Sequence, residues 1–278
     1  MHKRMLILLS LLFLASSAQA LRDSLIEVEL QRKDAGSPVF QRAILSQPDT
    51  VNLQTALLYF RSGHGMAKIS SIEDRRRNYS LFIGPLLQNY FQSGIATVVV
   101  DCPTDQWGPV GDSNRATSCL DGYRSSTQHA DDVRAVIARL RQDHGIRRFF
   151  LLGHSKGTIS SQWLAVHLGE EISGSIHSAS LSGPDTWGNG ESLRNLPLDA
   201  IKSPALWLHH LNDACPVTRY ADTKRRAGER LTTVRGGSPE GQVCSLHYHS
   251  YQGREAVAAK AIIDWINTGT TAPFVGDP

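Results

Sequence analysis

The sequence lacks the features that would place it in a membrane or on a nucleic acid. Its early apolar run, Leu6 to Ala15, is about half of the ~20 residues that a membrane-spanning helix requires. The formal net charge is +3, and removal of Lys3 and Arg4 lowers it to about +1. So small a net charge does not indicate nucleic-acid binding. Internal repeats and low-complexity tracts are also absent, which excludes repeat architectures.

Cysteine is scarce, with four residues in the chain and none at C-x-x-C spacing. Clustered zinc ligands are therefore absent, and we predict neither a metal nor any other cofactor. In an exported chain, four cysteines suggest two disulfides, with three possible pairings. We favour Cys102 with Cys119, which would close a loop rich in Gly, Asp and Ser, and Cys215 with Cys244. Four buried free thiols are the alternative.

The start of the chain predicts export. Basic residues (His2, Lys3, Arg4) precede the apolar run, and Ala18-Gln19-Ala20 is a small-x-small cleavage site. This pattern predicts a signal peptide over residues 1–20 and a mature single domain over residues 21–278, in the periplasm or outside the cell. The alternative is an uncleaved anchor, which the short apolar run disfavours. No cysteine stands at the cleavage point, so we predict no lipid anchor and no stable membrane anchor.

Alternating apolar patterns predict an α/β fold. Strands are predicted at Ser24–Leu30, Val39–Leu45, Ala56–Phe60, Ile95–Val100, Phe149–Leu152, Ser175–Leu181 and Ala205–His209, and helices at Ser80–Gln92, Ser125–Arg141, Thr158–Leu168 and Val257–Ile266. Ser126 is the expected cap of the second helix. After an initial antiparallel hairpin, this order predicts a mostly parallel sheet with helices on both faces. In such sheets the functional site lies at the carboxyl ends of the strands.

The most informative motif is Gly153-His154-Ser155-Lys156-Gly157, which follows an apolar strand and precedes a helix. Strand, G-x-S-x-G and helix together form a nucleophile elbow, a strained turn that presents the serine hydroxyl. The glycines are needed because a Cβ at either position would clash in so tight a turn. Ser155 is therefore the candidate nucleophile.

A serine nucleophile needs a base, and the base needs an orienting acid. Asp213 follows a strand, and His249 precedes the last helix, which gives the chain order Ser, Asp, His. Here the chain resembles the α/β-hydrolase family over most of its mature length. The segment from His209 to Asp213 has the spacing of the family's H-G-x-x-D loop, with a histidine at the usual glycine. His249 to Glu255 fits the family's H-x-[FY]-x-G-x-E.

That second motif favours His249 over His247 as the base. Asp222 and Asp199 are weaker candidates for the acid, since neither directly follows a strand. The resemblance implies an oxyanion hole built from the backbone N–H of Lys156 and from the loop after the Ala56–Phe60 strand. In that loop we assign Gly63, with Ser62 as the alternative.

The segment from Pro184 to Pro204 stands where this family inserts a lid, and it is short by that standard. A short lid suggests an open cleft for a small or flexible soluble acyl substrate. The sequence therefore predicts an exported serine hydrolase that cleaves a carboxylic ester through an acyl-enzyme. A serine peptidase or amidase with the same triad is the alternative enzyme, and an inactive hydrolase fold used as a binding module is the non-enzymatic alternative. No oligomeric state is predicted.

Overall fold

The computed structural model describes residues 20–32, 36–74, 83–108, 119–183 and 191–277. Nine strands in these residues form one sheet. The strands are β1 (Leu21–Leu30), β2 (Val39–Pro48), β3 (Thr55–Phe60), β4 (Ile95–Val100), β5 (Arg148–His154), β6 (Gly174–Ser178), β7 (Ala205–His210), β8 (Leu231–Val234) and β9 (Phe274–Val275). The helices are α1 (Leu87–Gln92), α2 (Asp121–Arg124), α3 (Thr127–His144), α4 (Thr158–Leu168), α5 (Tyr220–Ala227) and α6 (Glu255–Thr268).

The sheet is mostly parallel, with an antiparallel start. Its spatial order is β1-β2-β4-β3-β5-β6-β7-β8-β9. Strand β2 pairs antiparallel with both β1 and β4, and all later neighbours pair in parallel. The α/β fold class predicted from the sequence, including its N-terminal hairpin, is confirmed. Because β3 and β5 to β8 run in one direction, their carboxyl ends lie along one edge of the sheet, where a site is expected.

Two hydrophobic cores cover the two faces of this sheet. On β3, Leu57 and Tyr59 point into one core, and Ala56 and Leu58 point into the other, as strand alternation requires. Helices α1 and α6 pack on the first face, and α3 and α4 pack on the second. The central strands are buried on both sides, which explains why they read as continuous apolar runs.

Several predicted elements differ in extent from the observed ones. The helix predicted from Ser80 begins only at Leu87, after a 3₁₀ turn that contains Pro85. The strand predicted to reach Leu181 ends at Ser178, because Ala179 adopts a left-handed φ of +45° that an extended strand cannot continue. In contrast, β4 has the predicted bounds. Strands β8 and β9 and helix α5 were not predicted.

Three predictions fall partly on residues outside the described ranges. These are residues 1–19 of the predicted leader, residues 80–82 of the helix predicted from Ser80, and residues 184–190 of the predicted lid. Among the residues that the structure does describe, none of the helices combines the length and the apolar character needed to cross a bilayer.

Candidate active site

Ser155 occupies a strained turn at the carboxyl end of β5. Its φ is +53°, in the left-handed region that residues other than glycine rarely adopt. A 3₁₀ turn over Ser155–Gly157 leads directly into α4. The residue is only 8% exposed, so it lies in a recess at the strand edge. Strain of this kind costs on the order of 1–3 kcal/mol and is concentrated at functional sites.

The glycines of the elbow are required by close backbone contacts. A Cβ on Gly153 would lie 2.3 Å from the carbonyl oxygen of Gly157. A Cβ on Gly157 would lie 2.3 Å from the carbonyl oxygen of Phe60, at the end of β3. Both distances are far below van der Waals contact, and each opposing atom is backbone that cannot rotate away. The turn therefore depends on glycine at both positions, as the sequence predicts.

Asp213 and His249 form a buried hydrogen-bonded pair. Asp213 lies in the loop after β7, and His249 lies in a 3₁₀ turn just before α6. The Nδ1 atom of His249 is 3.0 Å from Oδ2 of Asp213. The other ring nitrogen, Nε2, is buried and has no hydrogen-bond partner among the described residues. With the proton held on Nδ1 by the carboxylate, Nε2 is the nitrogen that can accept a proton from a nucleophile.

The elbow and this pair meet through His154, the residue before the serine. The rings of His154 and His249 are 5.0 Å apart, and the His154 ring also lies 6.1 Å from that of Tyr251. Within the described residues, no direct hydrogen bond joins the Ser155 hydroxyl to His249. Such bonds are often long in enzymes without substrate and tighten when substrate binds. The structure therefore brings all three candidate residues to one region of the sheet edge.

Asp213 is held by more donors than His249 alone. Its Oδ2 is 3.1 Å from Nε2 of His209 and 3.0 Å from the Thr218 hydroxyl, while its Oδ1 accepts from the backbone N–H of Cys215 at 3.0 Å. Burial acts to raise the pKa of Asp213, but the hydrogen bonds from His209 and His249, together with their charges, outweigh it and lower that pKa. Asp213 is therefore ionised at neutral pH and can stabilise a protonated His249.

A second buried network fixes the loop that carries His249. Nδ1 of His154 lies 3.0 Å from the Ser178 hydroxyl, which lies 2.6 Å from the Tyr251 hydroxyl. The Tyr251 hydroxyl donates in turn to the carbonyl of Leu208 at 2.9 Å. Tyr251 has a φ of +59°. These contacts link the ends of β5, β6 and β7 to the histidine loop, and they explain why a tyrosine follows His249 by two residues.

Neither His247 nor His210 contacts the Asp213 carboxylate. His247 packs its ring edge-on against Tyr248, and its backbone N–H donates to the Gln252 side chain. His210, which replaces the glycine of the resembled motif, stacks on Tyr248 at 4.4 Å and lies 2.7 Å from the Gly236 carbonyl through Nε2. The histidine at this position therefore braces the loop after β8.

The other two carboxylates considered as the acid lie elsewhere. Asp222 on α5 pairs with Arg225 of the same helix and with Arg219, the residue before it, and Asp199 is exposed. Of the three carboxylates, only Asp213 contacts His249. Sequence reasoning missed His209 and Thr218 as partners of this carboxylate. The sequence shows that Asp213 follows His209 by four residues. It does not show that their side chains meet, because this contact depends on how the turn after β7 folds back on the strand.

The candidate oxyanion donors belong to two neighbouring segments. The Nζ atom of Lys156 is 3.0 Å from Oδ1 of Asp121, so this side chain is engaged away from the nucleophile and its backbone carries the candidate donor. Gly63 is exposed, with a φ of +59°. One guanidinium, that of Arg124, donates to the carbonyl of Lys156 and to that of Gly63. The two segments are therefore close in space.

The structure contains two disulfides in its described residues, with the pairing that the sequence favours. Cys102 is bonded to Cys119, and Cys215 is bonded to Cys244. The second bond holds the loop of Asp213, two residues from Cys215, to the segment that leads into the 3₁₀ turn of His249. No group of three or more histidine, cysteine or acidic residues in the described part of the chain is arranged to hold a metal ion.

Comparison with known proteins identifies the fold. No family model and no curated protein matches the sequence. Among solved structures, a cold-adapted esterase from an Arctic intertidal metagenomic library is 17% identical with a TM-score of 0.57, over 90% of this chain and 95% of that one. A protein described as a dienelactone hydrolase, from Klebsiella pneumoniae subsp. pneumoniae, is 12% identical with a TM-score of 0.57, over 90% and 100%.

A fungal esterase from Rhizomucor miehei is also structurally similar, with 14% sequence identity and a TM-score of 0.54 over 90% of this chain and 84% of that one. At such identities the similarity establishes the fold and leaves the activity open.

Proposed function

Because the chain has the α/β-hydrolase fold, we propose that it is a serine hydrolase that cleaves carboxylic esters of small soluble substrates. The observation that carries this proposal is the His249–Asp213 pair beside a strained Ser155, with a buried and unpaired Nε2 on the histidine. The esterases among the similar structures support an ester substrate over an amide or peptide substrate.

In the proposed mechanism, Ser155 attacks the ester carbonyl while Nε2 of His249 takes the hydroxyl proton. Asp213 keeps the imidazole in the required tautomer and stabilises its protonated form. The tetrahedral oxyanion is bound by the backbone N–H groups of Lys156 and of Gly63. His249 then gives its proton to the leaving alkoxide, which leaves as the alcohol and an acyl-enzyme remains. A water molecule then attacks the acyl-enzyme, with His249 again taking and returning the proton, and the carboxylic acid is released.

A small substrate is consistent with the surface beside the histidine loop. An open groove of about 490 Å³ borders Ser250, the residue after His249. Its lining includes the apolar residues Pro85, Leu86, Leu246 and Ala256. Grooves of this size accommodate drug-sized molecules. We assign the non-reacting part of the substrate to this groove. Residues 1–20 are proposed as a leader removed on export, and residues 21–278 as one hydrolase domain.

The proposal is tested by labelling the purified protein with a fluorophosphonate and mapping the modified peptide. We expect one label, on Ser155, and none on the Ser155→Ala variant, which should retain its fold and lose turnover by a factor on the order of 10⁴ or more. A panel of p-nitrophenyl esters and aminoacyl anilides then separates the enzyme classes. Faster cleavage of the anilides would support the peptidase, and the absence of both labelling and turnover would support the inactive binding module.

A further inference from the structure

Arg124, the last residue of α2, is a buried arginine that donates only to backbone carbonyls. It is 1% exposed. Its Nε atom donates to the Cys119 carbonyl at 3.2 Å, and its Nη1 atom donates to the carbonyls of Lys156 at 3.0 Å and Arg61 at 3.3 Å. Its Nη2 atom donates to the Gly63 carbonyl at 3.2 Å. One side chain thus contacts four carbonyls from three separate segments.

The burial of this cation is costly, and no carboxylate among the described residues forms an ion pair with it. Burial lowers the pKa of Arg124 to about 10, against the opposing charge of Asp121. The side chain is still cationic at neutral pH. Buried charges are retained where paired or fully hydrogen-bonded, and the four carbonyls supply that compensation here. The Arg124 guanidinium is desolvated in order to link the three chain segments that carry these carbonyls. We therefore expect its role to be the positioning of those segments.

Two of those segments are the ones that carry the proposed oxyanion donors. Lys156 follows the nucleophile, and Gly63 lies in the loop after β3. We infer that Arg124 is the positioning residue of the oxyanion hole, fixing the elbow and the β3 loop at the spacing that the tetrahedral intermediate requires. This inference rests on the proposed function, because an oxyanion hole at this position is needed only if the protein catalyses acyl transfer.

The guanidinium packs directly against the loop after β3. A Cβ on Gly65 would lie 1.7 Å from Nη2 of Arg124, so the loop passes directly against it. On its other side, the same loop is held by the Asp101 carboxylate, which accepts from the backbone N–H groups of Ala67 at 2.7 Å and Ile69 at 2.8 Å. Asp101 anchors the loop to β4, and Arg124 anchors it to the elbow.

An oxyanion hole acts only if both donors point at the same oxygen before the reaction begins. A loop released from the elbow would still let substrate reach the groove and would still leave the His249–Asp213 pair intact. Loss of Arg124 should therefore weaken binding of the transition state much more than binding of the substrate. A large fall in kcat with little change in KM would therefore indicate that Arg124 positions the oxyanion hole, and not only that it stabilises the fold.

The first test compares Arg124→Lys and Arg124→Met with wild type and with Arg148→Met. Arg148 lies at the opposite end of β5, is exposed and donates to the Ile266 carbonyl, so it serves as a control arginine away from the elbow. We expect kcat for p-nitrophenyl acetate to fall on the order of 10- to 100-fold in Arg124→Lys and up to about 10³-fold in Arg124→Met. KM should stay within about threefold of wild type, and Arg148→Met should keep wild-type kcat per folded molecule.

A boronic acid inhibitor, which forms a tetrahedral adduct with the serine, supplies the second readout. Its inhibition constant should rise by about the same factor as kcat/KM falls. If Arg124→Met does not fold, Arg124→Lys and Gly65→Ala serve instead, since an added methyl at Gly65 displaces the guanidinium while leaving it present. Gly94→Ala is the control, because Gly94 has a similar φ of +78° and open space around its Cβ position.

The outcomes separate the inference from the proposed function. Wild-type kcat and unchanged boronate inhibition in folded Arg124→Lys and Gly65→Ala would overturn the role of Arg124 and leave the hydrolase intact. Equal losses in Gly65→Ala and Gly94→Ala would overturn it as well, because they would trace the loss to backbone strain alone. An inactive, unlabelled wild-type protein would overturn both.

Discussion

Nε2 of His209 lies 3.1 Å from Oδ2 of Asp213, the same carboxylate oxygen that contacts His249. The other ring nitrogen of His209 is 3.0 Å from the Thr223 hydroxyl on α5. A hydroxyl that donates to Nδ1 keeps the proton of His209 on Nε2, where it points at the acid. Asp213 is thus shared between His249, the proposed base, and His209, whose ring is fully buried.

We expect His209→Phe to lower kcat on the order of 10-fold with little change in KM. The aromatic character is kept, but Asp213 loses one of its donors and with it part of its orientation. Proton NMR of the His249–Asp213 hydrogen bond should show a shifted low-field signal in the variant. An unchanged kcat and an unchanged signal would mean that Thr218 and the N–H of Cys215 hold the carboxylate unaided.

The two histidines before α6 should differ sharply in their effect on activity. His249→Ala should abolish ester hydrolysis, with a loss on the order of 10⁴ in kcat, because His249 is the proposed base and, among the described residues, the buried His209 is the only other ring that contacts the Asp213 carboxylate. His247→Ala should retain most activity, because His247 contacts Tyr248 and Gln252 instead. Initial rates on p-nitrophenyl acetate with matched circular dichroism spectra decide the point. The opposite pattern would assign the base to His247.

The two disulfides should matter differently for catalysis. The Cys215–Cys244 bond closes a separation of 29 residues, against 17 for Cys102–Cys119. In the chain-entropy model the longer loop gains roughly 3–4 kcal/mol and the shorter one somewhat less. We expect Cys215→Ser/Cys244→Ser to lose more activity per folded molecule than Cys102→Ser/Cys119→Ser, because the longer loop holds Asp213 and His249 in register.

Activity titrated against the folded fraction of each double variant measures this difference. The reverse order would show that the segment at Cys119, whose carbonyl accepts from Arg124, limits catalysis more than the Asp213 loop does. Non-reducing peptide mapping of the oxidised protein checks the pairing itself.

Buried histidines should make the fold sensitive to mild acid. Burial, followed by the charge of Arg230, lowers the pKa of His177 to about 3 from an ordinary value of 6.5. Below 6.5 the unfolded chain binds a proton that the native ring refuses, so the free energy of unfolding falls as the pH drops toward 3. The depressed pKa of Asp213 acts below its ordinary value of 3.8, so its effect lies outside the range from pH 7 to about pH 5.

Replacing His177 with Gln should therefore flatten the decline of stability over that range. Urea unfolding at several pH values measures it, with His64→Gln as a control at an exposed histidine. The His64→Gln curve should run parallel to wild type. A His177→Gln curve that is also parallel would show that the native protein protonates this ring without penalty.

The sequence predicted best the parts in which one short segment determines the outcome. β4 is six apolar or β-branched residues, and its bounds were predicted correctly. The Ser126 hydroxyl accepts from the backbone N–H of His129 at 3.2 Å, the expected cap of α3. The strand, turn and helix around Ser155 also follow from a single run of residues. Glycine is required at positions 153 and 157 because a Cβ there would clash with nearby backbone atoms.

Elements stabilised by their neighbours were missed. β8 is Leu-Thr-Thr-Val, without apolar alternation, and it is a strand because it pairs with both β7 and β9. Helix α5 carries three basic residues in its last turn and buries only Thr223 and Ala227. Arg124 could not be found from the sequence, because its four carbonyls come from segments that meet only in the folded sheet.

The order of the site along the chain has a consequence for when activity can arise. Ser155 stands after β5, whereas its proposed acid, Asp213, follows β7 and its proposed base, His249, precedes α6. A polypeptide made from its amino terminus can complete the elbow while the histidine loop has not yet been synthesised. Under the proposed mechanism, a growing chain therefore cannot hydrolyse esters until its final quarter has been synthesised and has folded.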